Sequence, residues 1–310
     1  MKTLRNRLLV LIVALAFALG LMFTVELPRY YHYYYTLNDG CNITWIHDRI
    51  FENPRAIDIA FLGTSHTGCA VNDGYLDSLI GDENVVNLSY CQGGRNIQFT
   101  VLKDILLKHK PSAIYLEVRM EEDFTSHRDF GTVGYLNDVF HAPILANKKY
   151  PVDVYKAFLV RYMYFQDRLM GVLPEPPKQM RYIDYSNLPI FKSKAKSDEL
   201  QAHLKKELDK KEKFKKSIAR DWRLKLPRFY LDQIANLCKR HDVELRFLYI
   251  PSFGMASEVP FNQQFYIASG KLLIPPRKFF ENPDLWMDTE HFNAHGSRLF
   301  STWLATQIEQ

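Results

Sequence analysis

The chain has 310 residues, of which 47% are hydrophobic and 24% charged, so it can bury one large core or two small ones and is not an intrinsically disordered protein. Its net charge of +5 comes partly from a lysine-rich segment at residues 192–225, where acidic residues alternate with the basic ones. This mixture is typical of a solvated amphipathic helix, and no recognition motif accompanies it, so no nucleic-acid partner is predicted.

The N-terminus has the pattern of an export signal. Lys2, Arg5 and Arg7 precede an uncharged apolar run at residues 8–22. The run is near the lower limit of about 17 residues for a membrane-spanning helix, and no small-x-small cleavage site follows it. Residues 1–28 are therefore predicted to form one N-terminal transmembrane helix, retained as a signal anchor; a cleaved signal is the alternative.

Residues 29–56 are interpreted as a juxtamembrane linker. Five tyrosines at residues 30–35 have amphipathic rings that suit the headgroup region of a bilayer, so an aromatic belt is predicted there. Together with the anchor, this predicts a single-pass protein of the bacterial inner membrane whose C-terminal domain is periplasmic.

The chain has four cysteines, and their spacing matches neither a redox pair nor a zinc knuckle. One or two disulfides can form if the domain is exported, because the compartment outside the cytoplasm is oxidising. Cys69 and Cys91 are interpreted as ordinary buried residues. The four are Cys41, Cys69, Cys91 and Cys238.

Residues 57–118 alternate between strand and helix patterns. Apolar runs predict the strands, and apolar residues at helical spacing predict the helices between them. This alternation is the signature of a parallel sheet with crossover helices. The predicted strands are 57–62, 84–88 and 113–118, and the predicted helices are 75–80 and 97–109.

Alternation is lost over residues 124–225, which are interpreted as a helical insertion with a lid-like character. It resumes with a helix at 227–241 and a strand at 243–250, and a final helix covers 297–308. Residues 57–310 are therefore predicted to form one α/β domain that contains the insertion.

Three residues suit acyl transfer through a serine nucleophile. A serine hydroxyl needs a base within hydrogen-bond reach and a third group that orients the base. Ser65 follows the first predicted strand within a glycine-bracketed loop, where ligands bind in α/β sheets. Asp288 and His291 lie three residues apart before the last helix, which lets the carboxylate hold one imidazole nitrogen. Catalytic roles are predicted for all three.

An oxyanion also needs fixed donors, which backbone N–H groups at a glycine turn supply. Gly93 and Gly94 follow the second predicted strand and precede a helix, so they are predicted to bind the oxyanion together with the N–H of Ser65.

These segments resemble the blocks of the SGNH/GDSL hydrolase superfamily. The matching residues are Gly63-Thr64-Ser65-His66, Gly93-Gly94, and Asp288-x-x-His291-Phe292-Asn293-x-x-Gly296. The last block is similar to that of the membrane-anchored cell-envelope branch, which includes alginate and teichoic-acid acyl-transfer proteins. The resemblance covers residues 57–118 and 227–308. It implies a three-layer flavodoxin-like fold, a Ser-His-Asp triad and acyl-ester chemistry on an envelope carbohydrate.

The chain departs from this family after the third strand. The family places an oxyanion-binding Asn there, whereas this chain has Glu117-Val118-Arg119-Met120-Glu121. Arg119 is a candidate replacement, with a structural salt bridge to Glu117 or Glu121 as the alternative. His66 and Asn293, within the matched blocks, are further candidates for oxyanion or substrate binding, and for His66 a packing role is the alternative.

No cofactor or metal is predicted. His291 and His295 have a spacing that can hold zinc on one helix face, but the glutamate of the zinc-protease motif is missing and Gly296 weakens a helix there. The glycine turns have neither Walker spacing nor a dinucleotide fingerprint, which argues against nucleotide binding.

The predicted function is that of an anchored serine O-acetyl esterase or O-acyltransferase acting on an extracytoplasmic polysaccharide or another acyl ester. A polytopic membrane acyltransferase is a candidate partner that would supply the acyl group. One alternative is a non-catalytic envelope protein that keeps the fold and binds glycan or an assembly partner. Another is a membrane-surface scaffold built by the tyrosine-rich segment and the middle helices.

Overall fold

The structure is a computed structural model of the chain. It describes residues 2–36, 43–81, 83–175, 222–254 and 259–308, and a few residues between 198 and 206.

Five strands form a parallel sheet in the described part of the chain. Their order across the sheet is 2-1-3-4-5, which is a flavodoxin-like order. The predicted α/β class with a parallel sheet is confirmed, and the arrangement is compatible with a flavodoxin-like fold. The last strand was not predicted, because its three residues are too few to show a periodic pattern. The strands are β1 (Ile59–Leu62), β2 (Val85–Asn87), β3 (Ala113–Val118), β4 (Glu244–Tyr249) and β5 (Lys271–Leu273).

Thirteen α-helices accompany the sheet within the described residues, together with a π-helical turn at Asp48–Glu52 and a 3-10 turn at Pro283–Leu285. The α-helices are α1 (Lys2–Thr24), α2 (Arg29–Tyr34), α3 (Thr44–His47), α4 (Ser65–Ala70), α5 (Asp73–Ile80), α6 (Arg95–Lys108), α7 (Phe130–Val133), α8 (Leu136–Phe140), α9 (Tyr150–Met170), α10 (Lys225–Arg240), α11 (Gln263–Ser269), α12 (Lys278–Glu281) and α13 (Ala294–Ile308).

Helices cover both faces of the sheet. Successive side chains of a strand point to opposite faces, so Leu62 and Leu116 join one apolar cluster, which includes residues of α6 and α10. Phe61 and Tyr115 join a second cluster on the other face, which includes residues of α5 and α13. Burial on both faces explains why β1 and β3 read as continuous apolar runs.

The apolar N-terminal run is helical, as α1. In the part of the chain that the structure describes, no helix combines the length and the apolarity required to cross a membrane. The predicted transmembrane helix within residues 1–28 is therefore not supported. Side chains along α1 are exposed, among them Leu9, Leu11 and Phe17.

The tyrosine-rich segment is part of the domain core, and the aromatic-belt interpretation is wrong for its central residues. Tyr31 and Tyr33 are fully buried. Arg29 and Tyr33 donate hydrogen bonds of 2.6 and 2.7 Å to the buried carboxylate of Asp104 on α6. A desolvated carboxylate needs such donors, and these bonds attach α2 to the sheet-covering helix. The region predicted as a linker at 29–56 thus contributes to the fold.

Helices α7, α8 and α9 lie between β3 and β4, within the predicted insertion at 124–225, and they pack on one another. Residues 176–197 and most of 199–221 lie outside the described residues, and with them most of the predicted amphipathic helix at 192–225.

Candidate active site

The site lies at the carboxyl edge of the sheet. β1 ends at Leu62, and the chain turns through Gly63 and Thr64 into α4, whose first residue is Ser65. Thr64 caps this helix, because its Oγ1 accepts a hydrogen bond of 3.2 Å from the N–H of His66. Since all strands run parallel, the loops that follow them meet at this same edge.

The structure brings Ser65, His291 and Asp288 together. Ser65 Oγ lies 2.8 Å from His291 Nε2, and His291 Nδ1 lies 2.8 Å from Asp288 Oδ2. Both are hydrogen-bond distances, and they match the arrangement that the sequence predicted for a serine nucleophile, its base and the group that orients the base. Residues separated by 226 positions in sequence therefore form one continuous hydrogen-bonded chain.

Asp288 builds the turn that presents the imidazole. Its Oδ1 accepts hydrogen bonds from the backbone N–H groups of Glu290 and His291, at 2.7 and 2.8 Å. Burial opposes its ionisation, but the hydrogen bonds from His291 and from these N–H groups prevail, and the pKa of the carboxyl is lowered from its ordinary value. One ionised side chain thus fixes both the backbone turn and the ring.

The turn is fastened to the sheet by its neighbours. The N–H of Phe253, in the loop after β4, donates to Thr289 O at 2.9 Å. The N–H of Met287 donates to His291 O at 3.0 Å, and an antiparallel bridge pairs Trp286 with Phe292. The Asp288–His291 turn is therefore attached to both the loop after β4 and the start of α13.

Gly93 and Gly94 lie at the same edge as Ser65. The N–H of Tyr90 donates to Gly63 O at 2.9 Å, so the chain leaving β2 runs beside the chain leaving β1. Gly94 has a φ of +152°, and a small cavity at the edge is lined by both Thr64 and Gly94. A Cβ at Gly93 would overlap the carboxylate of Asp123, so a larger residue there would require that side chain to move.

His66 and Arg119 converge on Glu290, a residue that the sequence did not single out. His66 Nε2 lies 3.2 Å from Glu290 Oε2, and an Arg119 guanidinium nitrogen lies 3.7 Å from Glu290 Oε1. Arg119 is also 4.0 Å from Asp123, and its charge helps to lower the pKa of Glu117. The hydrogen bond from His66 lowers the pKa of Glu290 to about 2.

His66 is almost fully buried, at 2% exposed, and its ring centroid lies 5.4 Å from that of His291. Burial lowers the pKa of His66, so the ring is neutral at physiological pH. His66 therefore lies beside His291, as a packing residue hydrogen-bonded to Glu290.

Asn293 is fully buried and does not face the site. Its side-chain nitrogen donates to Asp284 O at 2.7 Å, and its Oδ1 accepts from the N–H of Gly296 at 2.9 Å. These bonds hold the start of α13, where Gly296 lies against the backbone of Leu285. The position does not support the predicted substrate contact.

A cavity of about 160 Å³ adjoins this edge, beyond the ends of β3 and β4. Arg119 lines it and also contacts Glu290, so the cavity neighbours the Ser65 region through these two side chains. The remaining lining combines polar and apolar side chains, among them Glu121, Phe124 and Ser252.

The structure assigns different states to the cysteines. Cys91 is disulfide-bonded, against the interpretation as an ordinary buried residue. Cys69 and Cys238 are free and buried. Cys91 immediately precedes the turn that carries Gly93 and Gly94, so the disulfide constrains that turn.

Within the described residues, no group of three or more His, Cys, Asp or Glu side chains is arranged to hold a metal ion. His295, half of the alternative zinc pair, is exposed to solvent on α13.

No protein-family model matches the chain, and no curated protein is significantly similar to it in sequence.

Proposed function

We propose that the protein is a serine acyl-transfer enzyme, an O-acetyl esterase or O-acyltransferase of the SGNH-hydrolase type. The observation that carries the proposal is the hydrogen-bonded chain from Ser65 Oγ through His291 to Asp288. These three residues lie at the carboxyl edge of a parallel sheet with strand order 2-1-3-4-5, which supports the proposal. The resemblance of the three sequence blocks to the SGNH-hydrolase superfamily also supports it.

In the proposed reaction, His291 Nε2 takes the proton of Ser65 as Oγ attacks the ester carbonyl carbon. Asp288 holds the imidazole through Nδ1 and stabilises the imidazolium. The tetrahedral oxyanion is bound by the N–H of Ser65 and by an N–H of Gly93 or Gly94, with the charge of Arg119 nearby. Collapse expels the alcohol, which takes the proton from His291, and leaves an acyl group on Oγ.

The second half-reaction decides between the two activities. When water attacks the acyl-enzyme, the outcome is ester hydrolysis. When a sugar hydroxyl attacks, the acyl group is transferred to the glycan. The proposed acceptor is a cell-envelope polysaccharide, and a polytopic membrane acyltransferase is the proposed donor partner. The resemblance to the cell-envelope branch supports both proposals.

We also propose that the domain is exported and held at the bacterial inner membrane through α1. The exposed apolar side chains of α1 follow basic residues, and the disulfide of Cys91 is stable in an oxidising compartment. Deletion of residues 2–24 is expected to move the protein from the membrane fraction to the soluble fraction. A full-length protein that is already soluble would contradict the membrane proposal and leave the catalytic one intact.

Turnover of p-nitrophenyl acetate tests the catalytic proposal. We expect the Ser65→Ala variant to lose turnover while its melting temperature stays near that of the wild type. Ser78→Ala is the matched control, because Ser78 is exposed on α5 and its hydroxyl donates a hydrogen bond to Tyr75 O of the same helix. Equal turnover in the Ser65→Ala variant and the wild type would reject the proposal.

A non-catalytic, glycan-binding protein is the second candidate. One observation favours it: the family's oxyanion-binding Asn is replaced by the segment containing Arg119, which is paired with Glu290 and Asp123. The glycan-binding function would be supported if the wild type has no esterase turnover but binds envelope polysaccharide saturably in a titration.

A further inference from the structure

A buried carboxylate holds the turn that carries Ser65. Glu117, at the end of β3, is 2% exposed. Its Oε2 accepts hydrogen bonds from the N–H of Thr64 at 2.6 Å, the hydroxyl of Thr67 at 2.6 Å and the N–H of Thr67 at 3.2 Å. Its Oε1 accepts from the hydroxyl of Thr64 at 2.9 Å. All four donors belong to residues on either side of the nucleophile.

Glu117 is ionised in this environment. Burial raises its pKa, but the neighbouring charge of Arg119 and the hydrogen bonds from Thr67 and Thr64 prevail, so the pKa lies below its ordinary value. A buried carboxylate without partners would cost several kcal/mol, and four donors offset that cost. The turn and the carboxylate therefore stabilise each other.

The space around Glu117 is shaped for this contact. A Cβ on Gly63 would lie 2.5 Å from Glu117 Oε2 and would also overlap Thr67. Only a glycine at position 63 lets the turn approach the carboxylate this closely. Thr64 Oγ1 donates to Glu117 and accepts from the N–H of His66, so the helix cap is itself oriented by the carboxylate.

We propose that Glu117 is a positioning residue for the nucleophile, an inference that rests on the proposed function. It fixes the backbone immediately before Ser65 and two residues after it. This keeps Ser65 Oγ within 2.8 Å of His291 Nε2. Because a misplacement of about 1 Å can cost about 100-fold in rate, the hydrogen bonds of Glu117 act on the chemical step through geometry.

The test is the Glu117→Gln variant, measured by the rate at which a fluorophosphonate probe labels Ser65 and by kcat and KM for p-nitrophenyl acetate. The amide keeps the size of the side chain but presents an NH2 group to backbone N–H donors. We expect the labelling rate and kcat to fall about 10- to 100-fold, with KM nearly unchanged.

Asp104→Asn is the matched control. Asp104 is another buried carboxylate, and it accepts hydrogen bonds from Arg29, Tyr33 and Tyr135, all away from Ser65. We expect this change to lower the melting temperature while the folded protein keeps the wild-type labelling rate. If lower stability alone reduced labelling, the Glu117→Gln and Asp104→Asn variants would both be labelled more slowly. Equal slowing in the two variants would overturn the proposal.

A pair of variants at Thr67 covers the case in which Glu117→Gln does not fold. Thr67→Ser keeps the hydroxyl donor to Glu117 and is expected to be labelled at close to the wild-type rate. Thr67→Val removes the donor at nearly constant volume and is expected to be labelled about 10-fold more slowly. Equal rates in the two variants would overturn the role of Glu117.

The same measurements separate this inference from the proposed function. If the probe labels wild-type Ser65 and the variants equally well, the inference about Glu117 is wrong and the serine chemistry stands. If the probe does not label wild-type Ser65 at all, the proposed function is wrong and the inference is overturned with it.

Discussion

The two turns that meet in the site are held in different ways. The Asp288–His291 turn is shaped mainly by its own residues, because Asp288 accepts hydrogen bonds from N–H groups two and three positions later. One bond from the Phe253 N–H attaches it to the loop after β4. The Ser65 turn is held by Glu117, which lies 53 residues from Thr64 in sequence. The proposed base, His291, is therefore positioned mainly by local hydrogen bonds, and the proposed nucleophile, Ser65, by the assembled sheet. The predictions below test that division.

The largest effect is expected at His291, because no other side chain in the described site lies within hydrogen-bond distance of Ser65 Oγ. His291→Ala should lower kcat by a factor on the order of 10⁶, in practice to the detection limit, since loss of the base disables the nucleophile. Esterase assays over a range of enzyme concentrations check this. Retention of measurable turnover would show that another group removes the serine proton.

Asp288→Asn should have the next largest effect, a loss of about 10⁴-fold in kcat. The amide oxygen can still accept hydrogen bonds from the N–H groups of Glu290 and His291, so the turn should persist. It cannot stabilise the imidazolium, and it favours the wrong imidazole tautomer. Kinetics together with a melting curve test this, and a stability loss as large as that of a core variant would contradict a mainly local turn.

Replacement of Arg119 should cost about 100-fold if its charge stabilises the oxyanion, the range measured when one such donor is removed elsewhere. Arg119→Met keeps much of the side-chain length and removes the charge, and Arg55→Met, at an exposed ion pair with Asp77, is the control. The comparison is made on kcat with a neutral ester. An Arg119→Met variant as active as the control would leave oxyanion binding to the backbone alone.

The smallest expected effect concerns stability and pH. His127 packs against Gly94, its Nδ1 accepts from the N–H of Asp129 at 3.1 Å, and its Nε2 donates to Cys91 O at 2.7 Å. The bond that Nδ1 accepts requires the neutral ring, whereas the bond to Cys91 O can be made by either protonation state. Burial lowers the pKa of His127 from 6.5 to about 4. The unfolded chain therefore binds this proton at higher pH than the folded chain does.

Stability contributed by His127 is thus present above pH 6.5 and is lost as the pH falls toward 4. The slope from this one group approaches about 1.4 kcal/mol per pH unit. Urea unfolding of the wild type and of His127→Gln at several pH values between 7 and 4 measures it. Identical slopes for the two proteins would show that the loop carrying Gly94 is not held by a neutral His127.

Sequence patterns predicted the parts of this molecule that depend on neighbouring residues. The strand at 113–118 follows from its apolar run, and the Asp288-x-x-His291 spacing predicts the hydrogen bond between that carboxylate and the imidazole. The buried α2 could not be predicted, because whether its tyrosines face lipid or core depends on Asp104, which lies in a distant helix. Burial, not composition, decides between those interpretations.

Glu117 was missed for the same reason. Its one sequence signal is an acidic residue within the otherwise apolar strand Ala113–Val118, which is compatible with a solvent-facing position at a sheet edge. Only the assembled sheet reveals that Thr64 and Thr67 supply its donors. Glu290 lies in a turn without a periodic pattern. Its contacts with His66 and Arg119 join residues far apart in sequence, so only the folded structure reveals them.

The most direct test of the central claim is the site at which an activated-serine probe attaches. Full-length protein is treated with a fluorophosphonate, digested, and the modified peptide is sequenced by mass spectrometry, with the His291→Ala variant in parallel. The account predicts modification at Ser65 in the wild type and its absence in the variant. Modification at another residue, or equal labelling of Ser65 in both proteins, would contradict a Ser65, His291 and Asp288 relay.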